Sequence, residues 1–416
     1  MSEVAEHRDA VRNRRGGLFL TRLRISNYKS IEKCDVEFRP LTMLVGRNGS
    51  GKSNFLDALR FVVDSLQTSV DHAIKWRGGI DSVRRRSTGH PRNFAIGLDF
   101  DLSDELSASY VFEIGSSAGG AFVVRQERLK VVHASGRTQA YFRVTDGEVE
   151  ASATQMPPAA RDRLYLVHAA GLPEFRLAYD ALLAMGFYNL NPAAMKELQA
   201  PDAGELLHRD GANIASVVGR LAADQPDTIS RIRSYLATIV PGIVGVARIG
   251  LGPRETIEFR QQVEGSKHPW RFYAASMSDV TLRALGTLVA VTQLAEQKQR
   301  VRLVGIEEPE TALHPAAAGA LIDALREAAC HTQVIVTTHS PDLIDQIDSA
   351  NDRLLAVQAS EGNTQVGPVD AASQAAIRDH LYTPGELLRL DQLQIDRRDL
   401  ERQRQLVLFD GDEGAP

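Results

Sequence analysis

Cysteine is scarce in this chain and long apolar runs are missing. Only Cys34 and Cys330 occur among 416 residues. They lie far apart and outside any C-x-x-C or His-rich context, which excludes a disulfide framework and a cysteine-based zinc site. No stretch approaches the roughly 18 uninterrupted apolar residues that a membrane span needs. The charged start, Met1 to Arg15, has no apolar h-region, so secretion is not expected and a reducing cytoplasm is the expected location. Positive charge is not in excess either. A net charge of -5 rules out a surface coated for nucleic acid and leaves room only for a local patch. What is present, 43% hydrophobic and 24% charged residues, describes a globular protein of two or three units of ordinary size.

The stretch that organises the rest is Gly46-Arg47-Asn48-Gly49-Ser50-Gly51-Lys52-Ser53, of the form G-x-x-x-x-G-K-S. It follows an apolar run, Leu41 to Val45, and precedes a helical pattern with Phe55, Leu59, Val62 and Leu66 on one face. Strand, glycine loop and helix stand in the order that a phosphate-binding loop requires. The glycines let successive N–H groups converge on an anion, and the helix adds its positive N-terminal end. Residues 46–54 are the candidate nucleotide contacts, Asn54 included. Lys52 reaches the β- and γ-phosphates of ATP and the Ser53 hydroxyl ligates Mg²⁺.

A second constellation lies downstream. Val301 to Ile306 predicts a buried strand that runs straight into Glu307-Glu308-Pro309-Glu310, placing acids at the carboxyl end of a strand, where open α/β sheets bind ligands. Glu307 is assigned to the metal and Glu308 to the proton of the attacking water. Gln333 to Thr338 predicts another core strand ending in His339-Ser340-Pro341-Asp342. Ser340 makes an N-cap with Pro341 at the first helical position. His339 then sits at a strand tip where it can donate to the γ-phosphate.

Around these motifs the chain divides into five segments. Residues 1–17 read as a flexible arm. Residues 18–155 hold the glycine loop and strand-like runs at 94–100, 109–114, 121–132 and 139–144, read as an antiparallel sheet. Residues 156–243 are helical in period and cut by prolines, an inserted helical subdomain. Residues 244–360 return through short strands to the second constellation. Residues 361–416 form a helical extension, with a charged helix expected over 391–405, and an acidic tail. Between the loop helix and the first of those runs, Arg84, Arg85 and Arg86 follow Lys75-Trp76-Arg77-Gly78-Gly79, making a candidate DNA-contacting loop.

The set resembles the ABC-type ATPase heads of the SMC, RecF and OLD group, carried by Arg24 to Ile31, the glycine loop (Walker A), Ile306 to Glu310 (Walker B), Leu313-His314-Pro315 and Thr337 to Pro341. The resemblance implies an α/β fold: a P-loop core sheet, an antiparallel β subdomain and the inserted helices, with Glu308, His339 and Lys52 as catalytic residues and His339 as the switch. It also implies a homodimer that sandwiches ATP, in which a signature motif from one copy faces the nucleotide of the other. Met277-Ser278-Asp279-Val280-Thr281 is its equivalent, with Ser278 and Asp279 as the trans contacts. Val280 replaces the family's glycine, Glu307 its more frequent aspartate, and no Q-loop glutamine is assigned. OLD nucleases add a Toprim domain, for which the segment after Val357 is too short, so a nuclease-like effector comes from another chain. The expected function is Mg²⁺-dependent ATP hydrolysis governing a DNA-directed process in anti-phage defence or repair. The alternative is a nucleotide-dependent scaffold with little hydrolysis because of Val280. A transporter ATPase subunit is disfavoured, since the L-S-G-G-Q form is missing.

Overall fold

The computed structural model describes residues 18–87, 91–117, 120–152, 156–293, 301–311 and 313–409. The arm at 1–17 and the end of the acidic tail, 410–416, lie outside the described residues. Strands, numbered in chain order, build three sheets.

Strands β1 (Leu20–Tyr28), β2 (Ile31–Glu37), β4 (Asn93–Asp101), β5 (Leu106–Ser116), β6 (Phe122–His133), β7 (Thr138–Thr145) and β8 (Glu148–Ala151) form a seven-stranded sheet in the order β2-β1-β4-β5-β6-β7-β8. All of its pairings are antiparallel, as the alternating pattern predicts. Strands β3 (Leu41–Val45), β9 (Met185–Tyr188), β13 (Leu303–Glu307), β14 (Gln333–Thr338), β15 (Arg353–Ser360) and β16 (Asn363–Pro368) form a second sheet, ordered β16-β15-β3-β14-β13-β9. Its pairings are parallel except for the β15–β16 hairpin. A third sheet joins β10 (Ile243–Leu251), β11 (Arg254–Gln261) and β12 (Trp270–Tyr273).

Alternation along the parallel strands sorts side chains between two cores. Leu44, Leu303, Ile335 and Leu355 face the helix Lys52–Gln67, which is buried between the two large sheets with Phe55, Leu59, Phe61 and Val62 fully covered. Met43, Val45, Val304, Ile306, Val334 and Val336 face the opposite way, against the helices Ile214–Asp224, Pro226–Ile239, Asp279–Thr292 and Ala318–Ala329. The glycine loop therefore hangs from a strand and a helix that are both locked into a core.

Two segments depart from the sequence reading. The stretch 156–243 is not purely helical: Met185–Tyr188 forms the edge strand β9, paired with β13. Four residues are too few to carry an alternation signal. Over its described residues, 361–409, the extension is not helical throughout. It begins as strand β16, and its last helix, Arg397–Arg404, breaks off from the shorter helix Pro384–Arg389. Arg402 pairs with Asp35 of β2 at 2.9 Å, Gln403 is buried, and Leu408 fills a small core beside Ala95 and Val111.

Candidate nucleotide site

Three strands that lie side by side, β3, β14 and β13, deliver the glycine loop, His339 and the Glu307–Glu310 run at their carboxyl ends. This is the sheet edge at which ligands bind in open parallel folds. Five of the residues singled out in the sequence meet there.

The loop is shaped by what surrounds its glycines. A Cβ on Gly46 would lie 2.1 Å from the Val357 carbonyl oxygen, and one on Gly51 would lie 2.0 Å from Thr364 Oγ1. Gly51 has φ +104° and Gly49 has φ +79°, conformations that disfavour a side chain. A Cβ on Gly49 would meet nothing within 4 Å among the described residues. The backbone thus forms a cradle walled on one side by β15 and β16 and open on the other. Ser50 Oγ is buried there with no hydrogen-bond partner among the described residues.

Lys52 is 5% exposed and donates to the Gly46 and Arg47 carbonyls at 2.8 and 3.1 Å. Burial lowers its pKa, against the opposing charges of Glu308 and Glu310. Ser53 Oγ donates to Glu307 Oε2 at 2.7 Å, and Glu308 Oε1 lies 3.7 Å from Lys52 Nζ and 3.2 Å from His339 Nδ1. Glu308 adopts φ +43°, a left-handed conformation that costs a non-glycine residue about 1 to 3 kcal/mol. Its N–H donates to the Thr337 carbonyl at 2.9 Å, and its own carbonyl accepts from the Thr311 N–H and hydroxyl at 3.1 and 2.9 Å. These bonds hold the strained residue in place.

The donor set fits Mg²⁺. A hydroxyl and a carboxylate in contact leave the remaining coordination to phosphate and water, the usual arrangement for that ion beside a nucleotide. Among the described residues no group of three or more His, Cys, Asp or Glu side chains is disposed to hold a metal by itself.

Several residues around this centre carried no role in the sequence reading. Glu310 is buried and accepts from Thr338 Oγ1 at 2.5 Å and from the His339 N–H at 3.3 Å, fixing the backbone from which the histidine projects. Burial raises its pKa, against those hydrogen bonds. Asn189, the residue after β9, lines a cleft of about 450 Å³ together with Ser53 and Glu307. It carried no sequence signal because the four-residue strand before it carries none. Arg209 reaches Glu307 Oε1 at 3.5 Å. Behind the loop helix, Asp57 gathers Lys29 at 2.6 Å, Arg77 at 2.9 Å and the Tyr28 hydroxyl at 2.7 Å. Burial alone would raise the Asp57 pKa, but the hydrogen bonds and charge of Arg77, with Lys29, bring it down to about 2.

Other predicted contacts stand apart. Ser278 caps the helix Asp279–Thr292, accepting from the Thr281 N–H at 3.2 Å, and Asp279 pairs with Lys196 at 2.7 Å. Both are exposed, Val280 is half-buried, and no hydrogen bond or ion pair among the described residues joins them to the loop. The arginines 84–86 do not form a loose basic loop. They follow the short helix Ile80–Val83, and Arg84 bridges to Tyr28 of β1. Arg84 pairs with Asp81 at 2.7 Å, Arg85 with Glu32 at 3.1 Å, and Arg86 donates to the Asp81 carbonyl at 2.9 Å.

Two protein families match parts of the chain: "AAA domain, putative AbiEii toxin, Type IV TA system" over residues 177–345, and "AAA ATPase domain" over residues 19–141. The chain is 26% identical over 178 residues to the structural maintenance of chromosomes protein 1 of Schizosaccharomyces pombe, covering 39% of this chain and 14% of that protein. It is 29% identical over 85 residues to the DNA replication and repair protein RecF of Lactobacillus acidophilus, covering 20% of this chain and 22% of that protein. The chain thus matches less than a quarter of each relative's length. Among solved structures it is similar to a Pyrococcus furiosus Smc head domain with an extended coiled coil, bound to the C-terminal domain of ScpA. The TM-score is 0.53 at 15% identity, over 87% of this chain and 99% of the other. At that identity the likeness establishes the fold alone, that of an Smc head domain. Among the described residues no helix is long and apolar enough to cross a membrane.

Proposed function

We propose that this chain, an ABC-type ATPase of the SMC- and RecF-like group, binds ATP with Mg²⁺ between two copies of itself and hydrolyses it to govern a DNA-directed process. One observation carries the reading: Lys52, Ser53, Glu307, Glu308 and His339 converge at the ends of β3, β14 and β13. In this reading the backbone of residues 46–54 cradles the phosphates and Lys52 exchanges its carbonyl partners for phosphate oxygens. Ser53 and Glu307 hold Mg²⁺, which when bound draws charge from the phosphate oxygens. Glu308 accepts the proton of the attacking water, and His339, whose Nδ1 has no hydrogen-bond partner among the described residues, donates toward the γ-phosphate. Ser278 and Asp279 of a second copy complete the site.

Relatives named for chromosome maintenance, chromosome partition and DNA repair support the DNA-directed role. The ScpA-bound Smc head supports a partner protein as effector, for which a nuclease in anti-phage defence or repair is our choice. Retention of ATP by the purified protein, release of phosphate in steady state, and loss of both in Lys52→Ala test the core of this reading. Absence of nucleotide binding by the unaltered chain would sink it. A second reading, a nucleotide-dependent scaffold, is favoured by one observation: the β-branched, half-buried Val280 stands at the mouth of the signature helix where bulk opposes close approach. Tight ATP binding without measurable phosphate release selects that reading.

A further inference from the structure

Arg209 owes its position to backbone, not to chance. Its carbonyl accepts from the Asn189 N–H at 3.0 Å and the next carbonyl, of Asp210, accepts from the Asn191 N–H at 2.9 Å. The segment thereby lies alongside the residues that follow β9. The turn that lets it do so is over-determined. Gly211 has φ +81°, its Cβ position would lie 2.9 Å from Met195, and its N–H donates to the His208 carbonyl at 2.9 Å. Asp210 Oδ1 accepts from the Ala212 N–H at 3.0 Å, and Asn213 Oδ1 accepts from the His208 N–H at 2.7 Å. A rigid base carries a long side chain into the cleft lined by Lys29, Ser53, Asn54, Arg60 and Glu307.

The cations of that cleft are unequally committed. Arg77 and Lys29 are bound closely to Asp57, and Arg60 pairs with Asp64 at 3.6 Å. Arg209 lies 3.5 Å from Glu307, a loose ion pair, with 42% of its side chain exposed. The other oxygen of the same carboxylate holds Ser53. Glu307 therefore joins the hydroxyl and carboxylate pair that suits Mg²⁺ to an arginine with freedom to move.

We propose that Arg209 is a positioning residue that competes with Mg²⁺ for Glu307. It neutralises the carboxylate while the metal is absent and is released toward the phosphate chain when the metal takes the carboxylate over. This rests on the reading of the cleft as the ATP site. A cation shared in this way opposes metal entry and favours the metal-free nucleotide, so removing it shifts the two equilibria in opposite directions. A loss that was only structural would weaken both.

The test is equilibrium binding of N-methylanthraniloyl-ATP to the full chain, in EDTA and across a series of MgCl₂ concentrations. Arg209→Gln is expected to weaken metal-free binding and to lower the half-saturating MgCl₂, each by about two- to fivefold, the range of a half-exposed ion pair. Arg209→Lys, which keeps the charge and spares the fold, falls between. In a Glu307→Gln background the shift in the MgCl₂ midpoint disappears. An unchanged midpoint in both Arg209 variants, or the same shift without Glu307, overturns the proposal. Equal binding by the unaltered chain and Lys52→Ala overturns the ATP reading instead, and the inference with it.

Discussion

The two motifs expected to meet at a nucleotide are built very differently. On the phosphate side, the glycine loop, Lys52, Glu307, Glu308, Glu310 and His339 are linked by hydrogen bonds and close ionic contacts across three adjacent strands. On the signature side, Ser278 and Asp279 are exposed on a helix end, where Ser278 caps its own helix through Thr281 and Asp279 pairs with Lys196 of another helix. Side-chain order costs entropy that the phosphate side has already met during folding. The signature side has met little of it, which is the distribution expected if its ligand arrives with another copy of the chain.

The largest test of that contrast is Glu308→Gln. Turnover is expected to fall by about 10²- to 10⁴-fold, read by phosphate release, with ATP affinity intact and an ATP-bound dimer accumulating in light scattering. If affinity collapses as well, the two functions of the phosphate side are not separable. The next effect belongs to the antiparallel sheet, whose core includes the loop helix and not the signature helix. Glu127, fully buried, accepts from the Tyr110 hydroxyl at 2.9 Å and from the Tyr165 and Leu166 N–H groups. Burial pushes its pKa up to about 7, against those hydrogen bonds. A carboxyl raised in the folded state stabilises fully below its ordinary value of about 4.5 and loses that contribution as pH rises through about 7. The expected loss is about 3 kcal/mol. Denaturant midpoints measured from pH 4.5 to 8 should fall in the native chain and flatten in Glu127→Gln; a native chain with no slope contradicts it.

Smaller effects separate the signature side. Ser278→Ala removes a helix cap worth about 1 kcal/mol. It should leave ATP binding by the dilute chain unchanged while lowering turnover at concentrations where the chain dimerises. Val280→Gly is expected to raise turnover while costing about 1 kcal/mol of helix stability or less. A thermal melt and a phosphate-release assay on the same sample read both. Were turnover to stay flat, Val280 would not be what limits closure.

The phosphate side was the legible side for a physical reason. Its residues lie at strand-to-loop junctions, where an apolar run stops and a loop of glycines or acids begins, so chemistry and position are written contiguously. Asn189 and Arg209 were illegible because backbone bonds from the residues just after a four-residue strand, not a periodic pattern, bring them together. The arginines 84–86 misled for the opposite reason. Their charge is visible in sequence, but Glu32, which engages Arg85, lies on β2, and nothing local announces it. Among the described residues, the helices of the C-terminal segment are short and have sparse apolar faces. Its destination is set by single residues such as Arg402 and Leu408 finding partners on β2, β4 and β5.

Thr364 closes the wall behind Gly51 and donates to the Ser50 carbonyl, 314 positions earlier in the chain. Synthesis runs from the N-terminus, so the glycine loop leaves the ribosome long before the threonine that backs it. A nascent chain stalled short of β16 would carry every residue of the loop without its rear support. Nucleotide capture should then appear only after β16 has been made.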